Sequence, residues 1–196
     1  MSSSLILASH SPRRRELLSA AGFSFETVSA NVTERFDVNL TVAELTLLNA
    51  RRKARAVAPI YPESVVLAAD TLVELSGDVI GKPRDLDEAA QILQRLSGHV
   101  HRVCSTVFVC QIARARSTSF HEISRVRFRR LSKSNIDEYL AKINALDKAG
   151  AYAAQGHGRE IIARIDGSFT NVVGLPMEQT IRALQKFGLE PARKSS

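Results

Sequence analysis

The residues predict an α/β or α+β protein built on a mixed sheet. Three observations carry that prediction. Leu5-Ile6-Leu7-Ala8 and Val65-Val66-Leu67-Ala68-Ala69 are short and wholly apolar, as strands buried on both faces are. Stretches with helical periodicity, caps and stops lie between such runs. Ser76-Gly77 separates Thr71–Leu75 from Asp78–Ile80 as a hairpin turn would, so part of the sheet is antiparallel. Strands and helices do not alternate strictly, and no repeat or linker divides the chain.

The elements follow in order. The run Leu5–Ala8 ends in Ser9-His10-Ser11-Pro12, where Ser11 suits an N-cap and Pro12 the first helical position. That helix should run to Ala21 and stop at Gly22. Phe23–Val28 reads as a strand, and 31–39 as a polar loop. A helix is expected over Thr41–Val57, capped by Thr41, with Val42, Leu45 and Leu48 as its apolar stripe and Pro59 and Pro62 closing it. Val65–Ala69 is the strongest strand signal and is expected to end at Asp70. Leu86 or Asp87 opens a helix carried by Ala89, Ile92, Leu93 and Leu96 and stopped by Gly98. His101–Gln111 and His121–Arg129 have strand character. In the latter, Arg125, Arg127 and Arg129 alternate with Val126 and Phe128, giving one basic and one apolar face. A short helix begins at Ser132, strands are expected at Ile161–Ile165 and Asn171–Val173, and a last helix at Pro176–Phe187. Residues 1–190 read as one domain and 191–196 as a disordered tail.

The composition is that of a globular protein, 44% hydrophobic and 24% charged over 196 residues. Lys and Arg total 27 against 20 acids, a formal charge of +7, which favours an anionic partner without choosing one. Trp is absent and aromatics are 6%, so a base-stacking surface would rest on a few Phe and Tyr. Cys104 and Cys110 lie on one strand too far apart to bridge and read as buried thiols of a reducing cytoplasm. No leader peptide or membrane span is expected.

Several segments could carry chemistry. Ser9-His10-Ser11-Pro12-Arg13-Arg14-Arg15 joins a strand to a helix N-terminus, where unpaired N–H groups attract anions. Arginines in a first turn oppose the helix dipole, a cost that a bound phosphate removes; the ordinary alternative is a solvated surface helix. Asp70 ends a buried strand, a position suited to metal binding or water activation but also an ordinary strand terminator. Glu34 is a second candidate carboxylate for a metal. Gly81-Lys82-Pro83 holds a lysine between two stiffening residues, without Walker spacing. Lys53 flanks the stripe of its helix and is a further candidate cation. Within Asp147–Gly156, Gln155 offers the donor and acceptor needed to read a base edge, while Tyr152 suits a core position. Gly167–Pro176 reads as mainly structural. No zinc spacing and no nucleophilic serine motif occurs, so a hard Mg²⁺ or Mn²⁺ held by oxygen is the better match to carboxylates and a polyphosphate.

Taken together these segments resemble the Maf family of nucleotide pyrophosphatases, also called septum-formation-inhibitor-like proteins. The likeness spans Leu5 to about Phe187. It rests on Leu7–Leu18, Lys53-Ala54, Ala69–Val73, Gly81-Lys82-Pro83, Leu96–His101, Asp147–Tyr152 and Gly167–Pro176. The resemblance implies an elongated mixed β-sheet with flanking helices, in two lobes around a central cleft, as in the related inosine-triphosphate pyrophosphatases. It implies divalent-metal-dependent cleavage between the α and β phosphates in a cytoplasmic protein, often a homodimer. On this basis Asp70 is the expected general base, with Glu34 and Asp70 as metal ligands. Ser9, Ser11, Arg13, Arg14, Lys53 and Lys82 are the expected phosphate-binding residues. Arg13, Thr71 and Gln155 match the dTTP/UTP class rather than the 7-methyl-GTP class, which has Trp, Gln and Glu at those places. Three departures stand out: His10 for a small residue, Arg52 where Glu is frequent, and Ser105-Thr106 for Thr-Gly. The expected partner is a small-molecule nucleotide, without nucleic acid or membrane. The alternatives are a pyrophosphatase for 7-methyl-GTP or other modified nucleotides, or a non-enzymatic nucleic-acid-binding or cell-division protein. The last would require a contiguous basic patch with stacking aromatics.

Overall fold

The computed structural model describes residues 4–192. It contains a seven-stranded mixed sheet flanked by helices, with strand order β2-β1-β3-β5-β6-β7 and β4 paired to β3. The strands are β1 (Leu5–Leu7), β2 (Glu26–Thr27), β3 (Val65–Leu75), β4 (Asp78–Ile80), β5 (Val100–Gln111), β6 (Arg116–Phe128) and β7 (Ile162–Asp166). The helices are α1 (Pro12–Ala20), α2 (Val42–Val57), α3 (Leu86–Leu96), α4 (Lys133–Leu140), α5 (Gly158–Ile161), α6 (Phe169–Val173) and α7 (Met177–Lys186). β1 pairs in parallel with β2 and β3, whereas β3–β4 and β6–β7 are antiparallel. Among the described residues no helix is long and apolar enough to cross a membrane.

The chain divides into two compact units. Unit 1 comprises the residues through Asp70, Ser105–Glu122 and the segment from Gly174; unit 2 comprises Thr71–Cys104 and Ile123–Val173. In unit 1 the apolar runs are buried on both faces, which explains why they lack alternation. Leu5, Leu7, Val65, Leu67 and Ala69 pack with Leu18 of α1 and Leu184 of α7. The intervening Ile6, Ala8, Val66 and Ala68 pack with Ala54 and Val57 of α2. Unit 2 has its own core, in which Val126 and Phe128 meet Ile92, Leu93 and Leu96 of α3 and Ile136 and Tyr139 of α4. Arg125 and Arg127 of β6, and Arg129 just beyond its end, are exposed, as the alternation requires.

Capping chemistry sets the helix starts. Ser11 accepts from the Arg14 N–H with Pro12 in the first turn, and Thr41 forms a reciprocal capping box with Glu44. Asp85 caps α3 through the Glu88 N–H at 2.8 Å. Ser132 caps α4.

Three expectations need correction. β3 does not end at Asp70; it continues to Leu75, because backbone pairing with β4 outlasts the apolar run. Of Phe23–Val28 only Glu26–Thr27 is strand, with Val28 adding one N–H bond to Leu7. Residues 171–173 are helical, not extended. The Ser168 hydroxyl accepts from the Asn171 N–H at 3.1 Å, and the buried Asn171 amide donates to Val103 O and Ser124 Oγ. Those bonds outweigh the β preference of Val172-Val173. Within the expected tail, the Ala192 N–H donates to Gly22 O at 2.8 Å; residues 193–196 lie outside the described residues, as do residues 1–3 at the other end. Cys104 and Cys110 are buried free thiols on β5.

Candidate active site

Unit 1 gathers most of the expected phosphate and metal residues. Asp70 lies inside β3 with 3% of its surface exposed. Its Oδ1 accepts from Lys53 Nζ at 2.6 Å, and the same ammonium reaches Glu34 Oε1 at 2.7 Å. Two carboxylates thus converge on one cation. Burial pushes the Asp70 carboxyl above the ordinary aspartate range; Lys53 and Arg14 pull it down and Glu34 adds to the rise. A carboxylate of raised basicity, kept dry, is a better proton acceptor than a solvated one.

Arg14 is buried too, and its burial lowers the guanidinium below its usual value while Asp70 and Glu34 act to raise it. It bridges the chain internally: Nε donates to Gly174 O at 2.9 Å and an Nη to Ser9 Oγ at 3.3 Å. Ser9 Oγ also accepts from the Ser11 N–H at 3.2 Å. The first loop is therefore braced by Arg14. Arg13, half-buried beside it, acts on Arg14 as a like charge. A helix N-terminus, two serines and two arginines concentrate positive potential here.

Sequence reasoning missed the residues that hold Asp70 in place. Asn49 Nδ2 lies 3.4 Å from Asp70 Oδ2 and 3.0 Å from Arg35 O, while its Oδ1 accepts from the Arg35 N–H at 2.8 Å. One amide thereby fixes both the carboxylate and the loop that carries Glu34. Thr46, also buried, pairs its hydroxyl with that of Thr106 at 2.7 Å. Thr46, Asn49 and Lys53 form a polar stripe at i, i+3 and i+7 on the inward face of α2, a signal present in the sequence. Of the three departures, Thr106 supplies that buried pair, and His10 hydrogen-bonds Ser29.

As donors, Asp70 and Glu34 are carboxylates, the ligand type a hard divalent cation takes, and both contact Lys53 Nζ. No group of three or more His, Cys, Asp or Glu that could hold a metal occurs among the described residues. A cation there would complete its shell with water and phosphate oxygens, as Mg²⁺ commonly does.

Unit 2 carries the three other expected residues, half-buried Thr71 and Gln155 and exposed Lys82. Thr71 and Val73 are both on β3, and a Cβ at Gly150 would lie 2.9 Å from Val73 Cγ2, so only glycine permits that approach at φ +73°. The Gly150 N–H donates to Gly81 O at 3.0 Å, next to Lys82. The segment leading to Gln155 is then pinned by two tyrosines. Tyr152 Oη bonds His101 Nε2 at 2.8 Å, and Tyr139 Oη both accepts from the Ala153 N–H at 3.1 Å and donates to Ala153 O at 3.3 Å. Burial lowers His101 to about 4 and pushes Tyr139 up to about 12, so this cluster is neutral at physiological pH. His101, Phe128 and Tyr152 stack edge to face, with centroids 4.9–5.4 Å apart.

A protein of Bacillus pumilus named dTTP/UTP pyrophosphatase is 43% identical over 187 residues, covering 95% of this chain and 98% of that protein. Proteins of the same name from Anaeromyxobacter dehalogenans and Bdellovibrio bacteriovorus are 44% and 43% identical, with at least 95% of this chain covered. Among solved structures, the Staphylococcus aureus Ham1 protein superposes with a TM-score of 0.45 and 14% identity over 64% of this chain and 71% of that one, too slight a likeness to bear weight. The family described as Maf-like protein matches residues 4–187, and the chain belongs to the Maf family.

Proposed function

We propose that the chain is a nucleoside triphosphate pyrophosphatase that converts dTTP and UTP to the monophosphate and pyrophosphate. The observation that carries the reading is the buried Asp70 held with Glu34 on the Lys53 ammonium, at 2.6 and 2.7 Å, beside Arg14. The full-length similarity to proteins of that name supports the choice of substrate.

The chemistry assigned to unit 1 is an in-line displacement at the α phosphorus. Asp70 accepts the proton of the attacking water, the bond to the bridging α–β oxygen breaks, and pyrophosphate leaves with that electron pair. Lys53, Arg13 and Arg14 neutralise the charge that gathers on the phosphates, and Ser9 and Ser11 orient them. Asp70 and Glu34 would hold a divalent cation, which would supply further charge neutralisation at this site. Lys82 of unit 2 adds another phosphate contact, and Thr71 and Gln155 select the base. We place the enzyme in a reducing cytoplasm, in keeping with its two buried free thiols.

The test is pyrophosphate release from a panel of canonical and modified triphosphates with Mg²⁺ or Mn²⁺, for wild type and Asp70→Asn. The reading expects dTTP and UTP to lead the panel. It expects Asp70→Asn to lose at least about a hundredfold in kcat, the lower bound for a lost general base, with its fold intact. Wild-type turnover by Asp70→Asn, or preference for a methylated purine, contradicts it.

A further inference from the structure

The segment between β2 and α2 carries Glu34, yet it has little of its own to hold it in place. Phe36 and Val38 leave 62% and 83% of their surfaces exposed, so apolar burial does not anchor it there. On either side the segment bonds to itself. The Val32 N–H donates to Ala30 O at 2.8 Å, the Leu40 N–H to Asp37 O at 3.2 Å, and the Asn39 N–H to Asp37 Oδ1 at 2.9 Å. Such short-range turns shape a loop without docking it. The ion pair of Glu34 with Lys53 does reach α2, but 37% of the Glu34 side chain is exposed and water competes for it.

Asn49 supplies a firmer anchor. It is 2% exposed, and both ends of its carboxamide are engaged. Oδ1 accepts from the Arg35 N–H at 2.8 Å and Nδ2 donates to Arg35 O at 3.0 Å, so the side chain pairs with one residue's backbone as a neighbouring strand would. The third contact, Nδ2 to Asp70 Oδ2, is longer at 3.4 Å and near the limit for a hydrogen bond. The distances thus assign the amide to the loop first and to Asp70 second. Arg35 directly follows Glu34, and Asn49 lies one turn before Lys53 on α2, about 6 Å along the helix axis. A buried grip on Arg35 therefore seats Glu34 over Lys53.

We infer that Asn49 is a positioning residue for the reaction, acting through the Arg35 backbone to keep Glu34 on Lys53 beside Asp70. The inference rests on the pyrophosphatase reading, in which Asp70 and Glu34 work together.

Two measurements on the full chain test it. The first needs no turnover. Arg35 is exposed and trypsin cuts after arginine, but a protease needs released backbone, which the clasp denies it. With two backbone bonds lost, Asn49→Ala is expected to raise cleavage between Arg35 and Phe36 at least about tenfold. Cleavage after exposed Arg114, between β5 and β6, is the internal control. The second is a double-mutant cycle on kcat for UTP with Mg²⁺. Asn49→Ala is expected to lose about ten- to a hundredfold in kcat, with KM close to wild type, as a misplaced catalytic group would. In a Glu34→Ala background the same substitution should cost less than about threefold, because the residue it positions is gone. A merely structural role would cost the same factor in both backgrounds. If Asn49→Ala melts too early to assay, Asn49→Ser takes its place, since one hydroxyl cannot bridge both Arg35 groups as a carboxamide does. Cleavage after Arg35 at the wild-type rate, or equal losses in the two backgrounds, overturns the inference. If Asp70→Asn is inactive in that case, the pyrophosphatase reading stands and only the role of Asn49 is wrong. If Asp70→Asn keeps wild-type turnover, the reading falls and the role of Asn49 in the reaction falls with it, whatever trypsin shows.

Discussion

Replacing Lys53 with Met removes the ammonium that Asp70 and Glu34 share and leaves the volume of the side chain nearly unchanged. The side chains of Lys53 and Asp70 are 12% and 4% exposed and their ion pair is 2.6 Å long, so water cannot take over the role of the cation. Breaking a buried pair on one side costs about 3–5 kcal/mol, because the remaining charge is left uncompensated. Glu34 then acts on Asp70 as a like charge without Lys53 to offset it, while Arg14 still pulls the other way, and the carboxyl, already raised by burial, rises further. Two consequences follow with definite signs. The base must be ionised to work, so the acid limb of kcat/KM against pH moves to higher pH. The folded variant also holds a proton that the unfolded chain, with an ordinary aspartate, has already released. Its stability deficit relative to wild type therefore shrinks as the pH falls through the folded-state value of Asp70. Pyrophosphate release across a pH series gives the first quantity, and urea unfolding at several pH values the second. An acid limb that stays in place or moves to lower pH, or a deficit that widens on acidification, refutes the electrostatic coupling of Lys53 to Asp70.

Gln155→Glu places a carboxylate where the dTTP/UTP reading needs a carboxamide, and kcat/KM for UTP is expected to fall about ten- to a hundredfold against a purine panel; unchanged relative rates count against it. His101 is held neutral, its value lowered to about 4 from 6.5, so its contribution is fully present above pH 6.5 and is lost as pH falls toward 4. The span corresponds to about 3 kcal/mol, and His101→Gln should flatten that part of the stability profile; identical acid limbs for the two proteins would contradict it. Gly150→Ala forces a Cβ to within 2.9 Å of Val73 at φ +73° and should cost at least about 1 kcal/mol, read as a lower melting temperature. A variant as stable as wild type would show that the segment before Gln155 is not tightly seated.

The first turn of α1, the Thr41 cap of α2 and the apolar strands of unit 1 were all readable in the residues, because local chemistry and tertiary packing agree there. Asp70 shows where reading stops. The apolar run ends at Ala69, so the strand looked finished there, yet β3 extends six residues further, to Leu75, and carries Asp70 into the interior of the element. At Asn171, Val-Val suggested a strand, but a buried amide bonded to Val103 O and Ser124 Oγ imposed a helical turn that no periodicity announces. Lys53 and Glu34 were recognisable as charges, whereas their shared contact with Asp70 depends on which loop folds over α2. Asn49 decides that by clasping the backbone of Arg35. The tyrosines that pin the Gln155 segment read as ordinary core residues, since their hydroxyl partners lie far away in the sequence.

The most direct test of the central claim is to hydrolyse UTP with the purified chain and Mg²⁺ in water enriched in oxygen-18, and to follow the label by phosphorus NMR. Attack on the α phosphorus with Asp70 as base predicts UMP carrying one heavy oxygen and unlabelled pyrophosphate. Label in the pyrophosphate, or UDP and inorganic phosphate as products, would contradict the account.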